Sequence, residues 1–135
     1  MAARDEFAEC MSCTCLALRK AARAVTQHYD RALRPAGLRA TQFGLLVGLT
    51  QSGPVPMAKL ADIMGLDRTS LTRNLRPLEA TGWLTVAEDD EDRRVRIVAI
   101  TPKGVAALRK ARPAWRKAQT SAGKVLARTA LPIAQ

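Results

Sequence analysis

The chain has 135 residues, 47% apolar and 25% charged, which is enough for one domain with its own core and is the balance of a globular rather than a disordered chain. Lys and Arg number 22 against 12 Asp and Glu, a net charge of +10, and sixteen of the cations are arginines, whose planar guanidinium suits phosphates and base edges. That balance points to nucleic acid first and an anionic membrane surface second, while 4% aromatics argue against a stacking platform for single strands.

Residues 6–34 carry a helical pattern. Met11, Cys15, Leu18, Ala22, Val25, Tyr29 and Leu33 recur at steps of three and four as one apolar stripe, which Pro35-Ala36-Gly37 ends. Residues 41–50 read as a second, nearly all-apolar and therefore buried helix, closed by Ser52-Gly53-Pro54. Two shorter helices follow, 57–64 and 67–80, with Gly65 at the tight turn between them and Asp67 as the N-cap of the second.

After Thr81-Gly82 the period changes from helical to two. Residues 83–87 and 95–100 read as the strands of a hairpin with a charged tip at 88–94. Thr101 then caps, and Pro102 opens, a last helix that carries Val105, Leu108, Trp115 and Ala118, with a kink expected at Pro113. The order α-α-α-α-β-β-α predicts a mainly helical α+β fold, a helix-turn-helix followed by a two-stranded wing.

In the second helix of the turn, Leu71, Leu75 and Leu78 share one side and are expected in the core. Thr69, Arg73 and Arg76 lie opposite, with Ser70 and Thr72 on the flanks, a set that fits the donor and acceptor pattern of a major groove. A solvated polar helix would show the same residues, so this segment alone leaves both readings open. The wing tip runs through five acids, Glu88 to Asp92, into Arg93 and Arg94, with Arg96 just beyond. Phosphates repel such acids, so the tip can help only if a carboxylate positions an arginine. Asp92 is placed to do that for Arg94, which could then enter a narrow minor groove. A hydrated, salt-bridged loop is the bland alternative.

Other classes have little to work with. No apolar run approaches membrane-spanning length, and the first residues lack a signal-peptide core, so a cytoplasmic protein that engages no membrane is expected. Cys10, Cys13 and Cys15 lie within six residues and cannot staple distant parts of a fold. Cys15 falls on the apolar stripe, where a free cysteine is most often a small buried hydrophobe. His28, the sole histidine, sits off that stripe and has no second ligand nearby, so no metal site or cofactor is expected. No nucleophile–base pair or carboxylate pair can be assembled, which argues against an enzyme.

Asp92-Arg93-Arg94, followed by Ile100-Thr101-Pro102-Lys103-Gly104, closely resembles the wing signature of the MarR (multiple antibiotic resistance regulator) family. Leu60-Ala61, Arg68 to Arg73 and Leu78 to Leu84 resemble the family's helix-turn-helix and its junction to the wing, so the likeness covers roughly residues 38–110. The resemblance implies a homodimeric transcription factor. Terminal helices at about 5–36 and 102–135 would dimerise, and a DNA-binding lobe would span about 38–101. Its partner would be pseudo-palindromic promoter DNA with half-sites roughly 10 bp or a multiple apart. Release would follow binding of a small phenolic or aromatic ligand, or oxidation of a cysteine. Carried over residue by residue, Arg68, Thr69, Ser70, Thr72, Arg73 and Arg76 form the groove face. Arg93, Arg94 and Arg96 belong to the wing, supported by Asp92. Cys15 and Tyr29 look like the peroxidatic cysteine and partner tyrosine of the hydroperoxide-sensing branch. One departure is Pro77, expected to kink or end the recognition helix near Arg73 to Arg76. The rival expectation is a basic architectural protein that binds any duplex.

Overall fold

The computed structural model describes residues 2–129. They form two compact units, one spanning Leu33–Pro113 and one joining the chain up to Ala32 with the chain from Ala114 onward. In order come α1 (Ala3–Glu6), a 3-10 segment (Ala8–Ser12), α2 (Thr14–Leu33), a 3-10 turn (Arg34–Ala36) and α3 (Ala40–Ser52). Then follow β1 (Val55–Pro56), α4 (Met57–Met64), α5 (Arg68–Ala80), β2 (Leu84–Glu88), β3 (Arg96–Ile100) and α6 (Pro102–Ala127). Of the expected C-terminal segment, residues 130–135 lie outside those described.

The unit from Leu33 to Pro113 closes over a leucine-rich core in which Leu45, Leu46, Leu60, Leu71 and Val98 are fully buried. Leu71, Leu75 and Leu78 of α5 all face inward, as their spacing requires. Burying these three contributes about 6 kcal/mol, against roughly 3 kcal/mol for a proline inside a helix. That inequality explains a correction: α5 runs through Pro77 without a break to Ala80. Pro77 is exposed, so water can satisfy the carbonyl of Arg73 that it leaves without a donor. α6 likewise continues through an exposed Pro113.

The wing has three strands rather than two. β1 adds to β3 in the order β1-β3-β2, with Val55 opposite Val98 and Pro56 opposite Ile97. A two-residue edge strand containing proline shows no alternation to read, which is why the sequence hides it. β2 and β3 pair antiparallel from Leu84–Ile100 to Glu88–Arg96, close to the expected hairpin.

Where one long first helix was expected, the chain breaks at Cys13, which is extended (φ −63°, ψ 121°). Nothing from Ala3 to Ser12 is buried, so no tertiary packing pulls those turns into one helix. The stripe also needs correction. Ala21 is buried, with Ala17, Ala24, His28 and Ala32 half-buried on the same side, whereas Met11, Cys15, Leu18 and Ala22 are exposed. α2 thus turns an alanine stripe with His28 inward, while the expected stripe is exposed at Cys15, Leu18 and Ala22, half-buried at Val25 and Tyr29 and buried at Leu33. His28, expected off the packed face, lies on it.

Candidate nucleic-acid interface

The helix-turn-helix is set by backbone chemistry at two points. Gly65 adopts the left-handed conformation (φ 63°), and its N–H reaches the Asp62 carbonyl at 3.2 Å while the Leu66 N–H reaches Ala61 at 2.9 Å. Asp67 then caps α5, accepting from the Ser70 N–H at 2.7 Å and the Ser70 hydroxyl at 2.9 Å. The Ser70 backbone bond, then its hydroxyl bond, hold the Asp67 carboxyl below the ordinary aspartate value of 3.8.

A depressed folded pKa means the cap contributes fully above the ordinary value and is lost as pH falls through the lowered one. Asp67→Ala should therefore lower the urea midpoint at neutral pH, and the gap from wild type should narrow near pH ~3. A gap that widened in acid would exclude the charged cap.

α5 turns a polar surface outward. Arg68, Thr69, Arg73 and Arg76 are exposed and, with half-buried Thr72, line one open concavity of about 420 Å³. None of these arginines forms a close ion pair among the described residues, although the Asp67 carboxylate acts on Arg73 at longer range, so their donors remain available to an anion. The flanking hydroxyls are less available. Ser70 spends its hydroxyl on the cap, and Thr72 donates to the Arg68 carbonyl at 3.0 Å. Arg68, Thr69, Arg73 and Arg76 thus present unengaged side-chain donors on this surface, Thr72 lines it with its hydroxyl proton already given to the backbone, and Ser70 supports the helix start. Sequence spacing places side chains on faces but does not show which hydroxyls the backbone has already engaged.

At the wing tip, Asp92 accepts from the Arg94 backbone N–H at 3.1 Å, from its Nε at 3.2 Å and from its Nη2 at 3.3 Å. The guanidinium bond, then the backbone bond, lower the Asp92 pKa. The Arg94 side chain stays 91% exposed while it is held in this way. Such an exposed pair adds little to stability, but it restricts the rotamers of a long side chain before anything binds. The tip closes through Asp89 N–H to the Val95 carbonyl at 2.9 Å and Val95 N–H to Asp92 at 3.0 Å. Arg93 and Arg96 are exposed beside it.

Thr101 and Gly104 fix the strand that follows. The Thr101 hydroxyl donates to the Gly82 carbonyl at 2.6 Å and accepts from the Gly104 N–H at 3.1 Å. Elsewhere, Cys10 and Cys15 are exposed and Cys13 is half-buried, all as free thiols. Tyr29 donates its hydroxyl to Gln119 Oε1 of α6. Fourteen residues of one helix separate Cys15 from Tyr29, about 21 Å, so the two cannot meet within a protomer.

Two helices joined by a left-handed glycine, the second presenting unpaired arginines, followed by an antiparallel sheet with an arginine at its tip, define a winged helix-turn-helix. Residues 38–95 match the MarR family. The transcriptional regulator MosR of M. tuberculosis, solved in complex with DNA, is 44% identical, with a TM-score of 0.73 over 82% of this chain and 81% of that one. The chain belongs to the MarR family. Multiple antibiotic resistance protein MarR of Salmonella typhimurium is 33% identical over 86 residues, 61% of this chain and 60% of that protein, so the match spans about 60% of that relative's length. BpsR of Bordetella bronchiseptica, whose DNA binding is regulated by 6-hydroxynicotinic acid, is 25% identical with a TM-score of 0.70 over 78% of this chain and 75% of that one. No helix among the described residues is long and apolar enough to cross a membrane.

Proposed function

We propose that the protein is a homodimeric, sequence-specific DNA-binding regulator that represses by occupying pseudo-palindromic promoter DNA. The observation that carries this reading is the arginine surface of α5, free of close ion pairs among the described residues, in the same unit as a wing arginine already braced by its own aspartate. Kinship with MosR, solved on DNA, supports it. Outward apolar groups of α2 and of the segment before it support a dimer: Leu18 is 54% exposed, Met11 77% and Phe7 59%, large side chains that a second copy would cover.

The test is fluorescence anisotropy on a duplex from the gene's own upstream region, against random DNA at physiological salt. A regulator should prefer its operator by ~10³-fold or more. Equal affinity for both duplexes would favour the rival reading, a basic protein that binds any DNA through phosphate charge alone.

Release would come from a small aromatic ligand or from thiol oxidation. BpsR supports the first, being a relative regulated by an aromatic acid. The exposure of Cys15 supports the second. An organic hydroperoxide would oxidise that thiol to a sulfenic acid and leave as the alcohol. Because Tyr29 of the same protomer is out of reach, any tyrosine contact would have to come from the partner subunit. Cys15→Ser should leave operator affinity unchanged and abolish the response to hydroperoxide. A response that survives the substitution removes Cys15 as the sensor.

A further inference from the structure

The unit that joins α2 to the second half of α6 carries a charge asymmetry that the helix-turn-helix does not account for. Residues 14–32 and 114–129 hold eight cations and one acid, Asp30. His28 Nε2 meets the Ala118 carbonyl at 3.0 Å and Ser121 Oγ at 2.8 Å. The chain from Ala114 onward packs in one unit with the chain up to Ala32, so the two helices run antiparallel.

Six of the cations fall into two rows. Lys20, Arg23 and Arg31 stand on one side of α2 at i, i+3 and i+11, with Gln27 between them. Lys117, Lys124 and Arg128 stand on one side of α6 at i, i+7 and i+11. Arg31 and Lys117 line the same open groove, which brings the rows together at that end and contains no acid. The antiparallel register then sets Lys124 and Arg128 alongside Arg23 and Lys20. All six are exposed, and each row is about 16 Å long. On α2 the row lies opposite Leu18, Ala22 and Val25, so a second copy covering those groups leaves it in solvent.

Exposed like charges at this spacing repel, and a bound polyanion relieves that cost while releasing its own counterions. Half-buried Asp30 offsets no more than one of the eight charges. The character of the surface selects the polyanion. Leu16, one turn before Lys20, is the single large exposed apolar group on this side of α2, and Leu126 falls on another side of α6. Neither membrane insertion nor the desolvated anchor of a protein interface has enough apolar area here. What the ridge offers is a regular line of charge. One strand of DNA presents a phosphate about every 3.4 Å along the axis, so a row of about 16 Å spans about five of them.

We infer that this ridge is a second DNA-binding surface, which holds the phosphate backbone of a duplex without reading its bases. The inference rests on the regulator reading only in assigning operator choice to α5 and the wing; the ridge itself engages any duplex.

The test uses the full-length chain with labelled random and upstream duplexes, by anisotropy across a salt series. Lys20→Gln/Arg31→Gln/Lys117→Gln/Lys124→Gln should weaken random-duplex binding at least roughly tenfold and flatten the slope of log affinity against log salt by about 3. Both duplexes should lose the same factor, so operator preference is unchanged. Arg4→Gln/Arg109→Gln/Arg112→Gln/Arg116→Gln removes the same charge at exposed positions off the ridge and should change the slope by about 1 or less. Arg68→Gln/Arg73→Gln/Arg76→Gln should abolish operator preference and keep the ridge-dependent binding of random DNA. An unchanged slope in the ridge variant or an equal loss in the off-ridge control would overturn the proposal. Tighter binding to phosphatidylserine vesicles than to random DNA at equal charge concentration would overturn it too. A slope independent of the ridge, with operator preference intact, sinks the ridge alone. Equal affinity of the wild type for both duplexes, with a ridge-dependent slope, sinks the regulator alone.

Discussion

Gly104→Ala should be the most damaging small substitution in the chain, lowering the melting temperature by about 10 °C or more. Propensity alone predicts the reverse, since glycine to alanine inside a helix normally stabilises by about 1 kcal/mol. Gly104 lies in the first turn of α6, and a Cβ there would run into the Trp83 carbonyl oxygen. The same Cβ would sit 2.8 Å from Ile100 Cγ1 and 3.0 Å from the Trp83 carbonyl carbon. Two of these three obstacles are backbone, so no rotamer change relieves them. The helix start would have to move, and Thr101 cannot follow without loosening its bonds to Gly82 at 2.6 Å, to the Gly104 N–H at 3.1 Å and from its own N–H to Trp83 at 3.1 Å. Overpacking plus a broken cap amounts to about 3 kcal/mol net of the propensity gain. Gly123 provides the control, because a Cβ there meets nothing within 4 Å in the same helix. Gly123→Ala should raise stability slightly. Equal behaviour of the two variants in a thermal melt would show that the close approach at Gly104 does not constrain the fold.

Gly104 also shows how the sequence was legible. The Thr-Pro-x-Gly step could be read as a helix start and as a family signature, yet the reason for the glycine is a carbonyl some twenty residues earlier, which no local pattern contains. The recognition helix was readable for the opposite reason. Its leucine spacing, its Asp67 cap and the left-handed turn at Gly65 are all local, and the structure keeps each of them. Failures came where tertiary energy outweighs local preference. Pro77 does not end α5 because Leu75 and Leu78 stay buried on the face opposite the exposed proline. The 3.6-residue period in α2 fits two apolar stripes, and only packing shows that the alanine stripe with His28 turns inward. Among the site residues, facing could be deduced but hydrogen-bond engagement could not. Spacing put Ser70 and Thr72 on the flanks, and only the structure shows that their hydroxyls donate to Asp67 and to the Arg68 carbonyl.

Engagement of that kind makes the arginines the decisive test of the interface. Arg73→Ala should weaken operator binding by about 10- to 100-fold while affecting random DNA far less, because a guanidinium on base edges contributes only where the right base is present. A uniform loss on both duplexes, with a shallower salt slope, would instead assign Arg73 to phosphate. Arg94→Ala should act differently, with its loss concentrated at AT-rich minor-groove positions flanking the half-site. Its aspartate sharpens the argument. If Asp92 acts only by bracing Arg94 through bonds at 3.2 and 3.3 Å, Asp92→Ala weakens the wild-type protein but costs nothing further once Arg94 is alanine. If Asp92 chiefly repels DNA, its removal should tighten binding in both backgrounds. The sign of one double-mutant cycle thus decides whether the acidic wing tip is a scaffold for its arginine or a charge the interface has to tolerate.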